Sequence, residues 1–140
     1  LLGGIPIPKG PHALSQFSFV VKQLLDKGEM VHIYPEGILA PYYSSIRSFR
    51  RGAFAYAYDS NVPVIPMVIT YREPRHALSR FFHRKPLLQM NILDPIYPRQ
   101  EGDRREQIDL LRENCFQAMY ACAQRENQIP TGADREEKAV

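Results

Sequence analysis

Val62-Pro63-Val64-Ile65-Pro66-Met67-Val68-Ile69-Thr70-Tyr71 is an almost unbroken apolar run. It reads as a strand covered on both faces, as in a parallel sheet, with Pro63 and Pro66 restricting where ladder donors can lie. Upstream, the apolar run over residues 30–34 reads as a second interior strand. Between the two, Arg51-Gly52-Ala53-Phe54-Ala55-Tyr56-Ala57-Tyr58 predicts a compact helix whose alanines permit close packing and which ends before Asn61.

The same reading extends outward in both directions. Ile5 and Ile7, each followed by proline, form a short extended segment. Over residues 14–27, Leu14, Phe17, Val20 or Val21, Leu24 and Leu25 recur at helical spacing, and Gly28 supplies the stop. Residues 38–49 keep no period and read as a structured loop. Beyond the central run, residues 87–96 are a further strand candidate, and after Gly102 an apolar stripe of Ile108, Leu111, Cys115, Ala118 or Met119 and Cys122 marks a last helix that should pack on the sheet. The element order implies an α/β fold with a mixed, mainly parallel sheet flanked by helices. Residues 1–126 read as the C-terminal portion of a single domain and residues 127–140 as a flexible tail.

Composition narrows the class. The chain has 140 residues, 44% of them apolar, with a formal charge of +3. No apolar run approaches the ~20 residues needed to cross a bilayer, and there is no signal-peptide pattern. The first residues, Leu1-Leu2-Gly3-Gly4-Ile5, begin in mid-pattern, so the chain is expected to be an internal piece of a longer protein. Cys115 and Cys122 lie too far apart on a helix for a disulfide, about 10 Å at the usual rise, and read as small core residues. No Cys–His cluster has zinc spacing, so no metal is expected. Positive charge concentrates in Arg72, Arg75, Arg80, Arg84 and Lys85, interspersed with Leu78, Phe81 and Phe82 and opposed by Glu73. Leu78, Phe81 and Phe82 are therefore candidates for membrane contact, and specific nucleic-acid binding is not expected without a reader element.

The chemistry-bearing residues cluster after the strand expected at residues 30–34. Glu36 sits between Pro35 and Gly37, one neighbour constraining the backbone and the other freeing it to turn. It reads either as a solvated turn residue or as a carboxylate held in a pocket. Arg47, Arg50 and Arg51 follow, and planar guanidinium groups suit phosphate oxygens, although at most one of the adjacent Arg50 and Arg51 should point inward. Lys9 is a candidate for the same rim. His32 reads as a structural histidine, while His12, His76 and His83 look peripheral, and none has a fixed-spacing carboxylate partner that would make it a general base.

Taken in order, four segments resemble the lysophospholipid acyltransferase family, which includes the glycerol-phosphate and 1-acylglycerol-phosphate acyltransferases. They are Gly3-Gly4-Ile5-Pro6-Ile7-Pro8-Lys9, Tyr34-Pro35-Glu36-Gly37, Phe49-Arg50-Arg51-Gly52-Ala53-Phe54 and Val62-Pro63-Val64-Ile65-Pro66-Met67-Val68-Ile69, within roughly the first half of the chain. The resemblance implies a glycerolipid acyltransferase-like fold, N-terminally incomplete. It also implies an acceptor site of Glu36, Gly37, Lys9, Arg47, Arg50 and Arg51 for a glycerol-phosphate or lysophospholipid, and a donor that is acyl-CoA or acyl carrier protein with no further cofactor. Its location would be the cytoplasmic side of a membrane, peripheral or anchored through another segment.

Three departures accompany the resemblance. Ile38 and Leu39 stand where many members have Thr-Arg, and Lys9 stands where arginine is common. The family's first block, a His with Asp five positions later, is absent. The resemblance places that catalytic pair upstream, so that these residues alone would be inactive. The alternative is an anionic-lipid-binding relative without catalysis.

Overall fold

The computed structural model describes residues 10–37, 46–72 and 87–126. Three helices and two strands follow in order: α1 (Pro11–Asp26), α2 (Gly52–Asp59), β1 (Met67–Arg72), β2 (Leu87–Ile92) and α3 (Arg104–Glu126). Ile5, Ile7, Lys9, the membrane-contact candidates Leu78, Phe81 and Phe82, and the tail at residues 127–140 lie outside the described residues.

α1 opens with proline in its first turn, where the missing N–H costs no hydrogen bond. It stops at Gly28, whose φ of +79° suits a left-handed cap. Gly28 N donates to Leu25 O at 2.9 Å and Glu29 N to Leu24 O at 3.0 Å, which closes the helix end on its own last carbonyls. The inward stripe centres on Val21, which is fully buried, and Phe17 meets Tyr56 of α2 edge-on with ring centroids 6.0 Å apart.

α3 begins at a side-chain cap. Asp103 Oδ1 accepts from Arg105 N at 2.9 Å and from Glu106 N at 3.1 Å, covering two of the four unpaired donors of the first turn. The helix's stripe buries Ile108, Leu111, Cys115, Cys122 and Ala123. The first three close a core with Phe49, Phe54 and Ala57, while Cys122 and Ala123 join Val68. Both cysteines are free thiols, and burial pushes the Cys115 thiol up to about 12.

Ion pairs fix both ends of α2 to α3. Arg104 Nε donates to Asp59 Oδ1 at 2.9 Å, and Arg51 Nε to Asp109 Oδ1 at 2.6 Å, with a second contact from each guanidinium to the same carboxylate. α2 therefore runs antiparallel to the first part of α3. The hydrogen bond from Arg51 holds the Asp109 carboxyl below the usual carboxylate range. A carboxyl whose pKa falls on folding stabilises the native state above its unfolded value, near ~4, and loses that contribution as pH drops through the folded value. Asp109→Asn should accordingly flatten part of the decline in melting temperature below pH ~4, read by thermal denaturation across a pH series. A wild-type acid profile in that variant would show the pair to be energetically silent.

The sheet departs from the α/β expectation. Among the described residues the fold is mainly helical, with one open two-stranded sheet whose strands pair antiparallel from Met67↔Ile92 to Arg72↔Leu87. The mixed, mainly parallel sheet is not present there. The physical reason lies in pairing, since an apolar run specifies burial but not its hydrogen-bonding neighbour. Pro63 and Pro66 lack N–H groups, so the run yields only an isolated Val64↔Ile96 bridge before β1 starts. Residues 30–34 form no strand, and Met30 is 92% exposed, so the interior strand expected there is also corrected. His32 is likewise exposed, its ring tilted against Tyr34 at 4.7 Å.

Candidate functional site

The Tyr34-Pro35-Glu36-Gly37 segment folds as a turn closed by Gly37 N donating to Tyr34 O at 3.3 Å. Pro35 presets the bend, and Gly37 takes a φ of +69°, which a residue with a Cβ adopts only with strain. The turn is fastened to the chain before α2, where Arg50 N donates to Pro35 O at 2.8 Å. Glu36 is half-buried in this arrangement.

Phe49 and Phe54 explain why that partner segment is held in place. Both are buried, with ring centroids 6.0 Å apart, and Phe49 meets Phe116 of α3 edge-on at 5.3 Å. Anchored on both sides, the intervening Arg50 and Arg51 are exposed and take opposite tasks. Arg51 turns to Asp109 and ties α2 to α3. Arg50 instead lies across the turn: a Cβ added at Gly37 would stand 2.5 Å from Arg50 Nε and 2.7 Å from its Cδ. Glycine is thus what lets the arginine stem rest on the backbone beside Glu36.

The structure brings Glu36, Gly37 and Arg50 into one locality. Arg47 is exposed on the same approach segment. Lys9 lies outside the described residues. Glu36 in the turn and Arg50 lying against Gly37 supply a carboxylate and a guanidinium in one neighbourhood, a pairing of groups suited to a polar ligand that offers a hydroxyl to one and an anionic oxygen to the other. Among the described residues no group of His, Cys, Asp and Glu is arranged to hold a metal ion, and no helix is long and apolar enough to cross a membrane. What the sequence did not reveal was Asp109, which captures Arg51 from 58 positions away. Its place in the first turns of α3 beside Arg112 gave no signal of that contact.

Comparison with known proteins points the same way. The model of the acyltransferase family matches residues 1–70, half the chain, and spans the turn and the segment fastened to it. The mouse (Mus musculus) protein 1-acyl-sn-glycerol-3-phosphate acyltransferase alpha is 33% identical over 85 residues. That stretch is 60% of this chain and 30% of the mouse protein, so the match spans under a third of the relative's length. No solved structure matches the chain. By the match over half its length, the chain belongs to the acyltransferase family.

Proposed function

We propose that this chain supplies the acceptor-holding part of an enzyme that moves an acyl group from acyl-CoA or acyl carrier protein to a hydroxyl of a glycerol-phosphate or lysophospholipid. The observation that carries this reading is the Glu36 turn fastened to Arg50, lying within the half of the chain that matches the family. The mouse relative's name, an acyltransferase acting on 1-acyl-sn-glycerol-3-phosphate, supports a phosphate-bearing acceptor.

In this reading a histidine outside these residues, oriented by an aspartate, removes the proton of the acceptor hydroxyl. The oxygen attacks the thioester carbonyl, the new C–O ester bond forms, the C–S bond breaks and the thiolate leaves to be protonated. None of the four histidines present has an aspartate five positions later, so the base is assigned elsewhere in the polypeptide. Glu36 receives a polar group of the acceptor, while Arg50, with Arg47 and Lys9 as further cations, meets the phosphate. Their contribution is orientation and charge placement rather than proton transfer. Arg51 serves the fold through Asp109. The location that suits such substrates is peripheral, on the cytoplasmic side of a membrane.

The test is an acyl-transfer assay on the protein carrying its catalytic block, with acyl-CoA and acyl carrier protein donors and a panel of glycerol-phosphate and lysophospholipid acceptors. Arg50→Ala should raise the acceptor KM about tenfold and leave the donor KM unchanged, the pattern of lost acceptor binding. Equal changes in both constants would reassign Arg50 to structure. Phosphate-independent acceptor use would reject the site. A protein without the His and Asp block that still binds these lipids would be the non-catalytic relative.

A further inference from the structure

Arg50 is gripped on both sides by the same helix. Its chain neighbours each reach α3: Phe49 meets the Phe116 ring edge-on at 5.3 Å, and Arg51 Nε donates to Asp109 Oδ1 at 2.6 Å, with Nη2 on the other carboxylate oxygen. Asp109 and Phe116 stand about two turns apart, so they share a face of α3 and hold the chain before α2 on either side of Arg50. Arg112 Nη2 lies 3.5 Å from the same Asp109 Oδ1 and steadies the carboxylate from its own helix. The contact from Arg51 is a two-pronged fork, the geometry that fixes a guanidinium in one orientation. Arg50 makes no ion pair among the described residues.

What these contacts fix is local. Arg51 is the residue on which α2 starts: its φ of −65° and ψ of −25° are helical, and its carbonyl accepts from Ala55 N at 3.0 Å. Anchoring it sets the path by which the backbone leaves Arg50. Arg50 itself is joined to the Glu36 turn by its N–H bond to Pro35 O and by its stem lying on Gly37. A pair whose side chains are 43% and 31% exposed adds little to global stability, because water screens it. Its use is geometric, since it keeps Arg51 from swinging and so keeps Arg50 on the turn. α3 lies beyond residues 1–70, so this restraint comes from outside the part of the chain that matches the family.

We propose that Asp109 is a positioning residue for the acceptor site: by clamping Arg51 to α3 it holds Arg50 on the Glu36 turn. The role rests on the acyl-transfer reading, in which Arg50 meets the acceptor phosphate, and deepens it by tying that contact to α3. Asp109 itself touches no substrate and acts through Arg51 on Arg50.

The experiment joins acceptor kinetics to amide hydrogen exchange on the protein carrying its catalytic block, with acyl-CoA as donor and 1-acyl-sn-glycerol-3-phosphate as acceptor. Asp109→Ala should raise the acceptor KM about fivefold and leave kcat and the donor KM unchanged. Arg51→Ala and the Arg51→Ala, Asp109→Ala double variant should give the same rise, because each opens the same clamp. Asp109→Glu, which keeps the charge, should recover most of the loss. Added to Arg50→Ala, Asp109→Ala should change nothing further, since the residue through which it acts is gone. The Arg50 N–H, bonded to Pro35 O, should exchange about fivefold faster in Asp109→Ala than in the wild type. If Asp109→Ala fails to fold, Arg51→Lys, which keeps the cation and loses the fork, takes its place and should show both changes in smaller measure. A lower acceptor KM in Asp109→Ala, an effect that multiplies with that of Arg50→Ala, a rise in Arg51→Ala that Asp109→Ala does not share, or unchanged exchange at Arg50 would each overturn the proposal. Faster exchange alongside an Arg50→Ala variant with wild-type acceptor KM rejects the acceptor reading and leaves the clamp standing. Wild-type exchange in Asp109→Ala alongside a raised KM in Arg50→Ala rejects the positioning role alone.

Discussion

Phe54→Ala is expected to lower the free energy of unfolding by about 3–5 kcal/mol, the range for removing a buried aromatic ring. Phe54 is only 2% exposed and packs in the cluster of Phe49, Ala57, Ile108, Leu111 and Cys115. Its neighbours are held by two helices that ion pairs fasten at both ends of α2, so the cavity has little freedom to collapse. Against a total stability of ~5–15 kcal/mol for a domain, the loss is large. Urea denaturation followed by circular dichroism measures it. A loss under about 1 kcal/mol would mean that the site repacks and that the Phe49–Phe54 anchor is dispensable. Because that anchor also fixes Arg50, acceptor affinity should fall with stability.

Glu36→Ala tests the other end of the same construction. In the protein with its catalytic block it should reduce kcat/KM for the acceptor about a hundredfold, on the order of 2.7 kcal/mol of transition-state stabilisation, while the donor KM stays at the wild-type value. Glu36 is half-buried in a turn whose closing hydrogen bond joins backbone atoms of Tyr34 and Gly37, so the melting temperature should barely move. That combination separates ligand positioning from folding. Glu36→Gln should recover part of the loss, since an amide keeps the acceptor oxygen but surrenders the charge. Wild-type acceptor kinetics in the alanine variant would reject Glu36 as a site residue.

Local signals in the sequence carried much of the architecture. The helical stripe of Ile108, Leu111, Cys115 and Cys122 is the buried face of α3, and Gly28 ends α1 in the left-handed conformation that its position required. Such features are written within a few consecutive residues. Strand pairing is not, and the runs at residues 30–34 and 62–71 show the consequence. The first forms no strand and leaves Met30 exposed, while in the second Pro63 and Pro66 delay the ladder until Met67, whose partner strand runs antiparallel through Ile92. For the candidate site, the Pro35-Glu36-Gly37 turn and the paired arginines were legible as residue types. Their division of labour was not, because it depends on Asp109 drawing Arg51 to one side and on Gly37 leaving room for Arg50 on the other.

The buried thiol of Cys115 makes the site's integrity countable by chemistry performed elsewhere. Burial raises its pKa to about 12, so the reactive thiolate is scarce at neutral pH, and the sulfur is shielded as well. Alkylation therefore waits for α3 to lift from α2, an opening that also unseats Phe49 and slackens the backbone that Arg50 ties to the Glu36 turn. The rate of modification at Cys115, resolved from that at Cys122, becomes a clock for how often the acceptor-holding turn loses its footing.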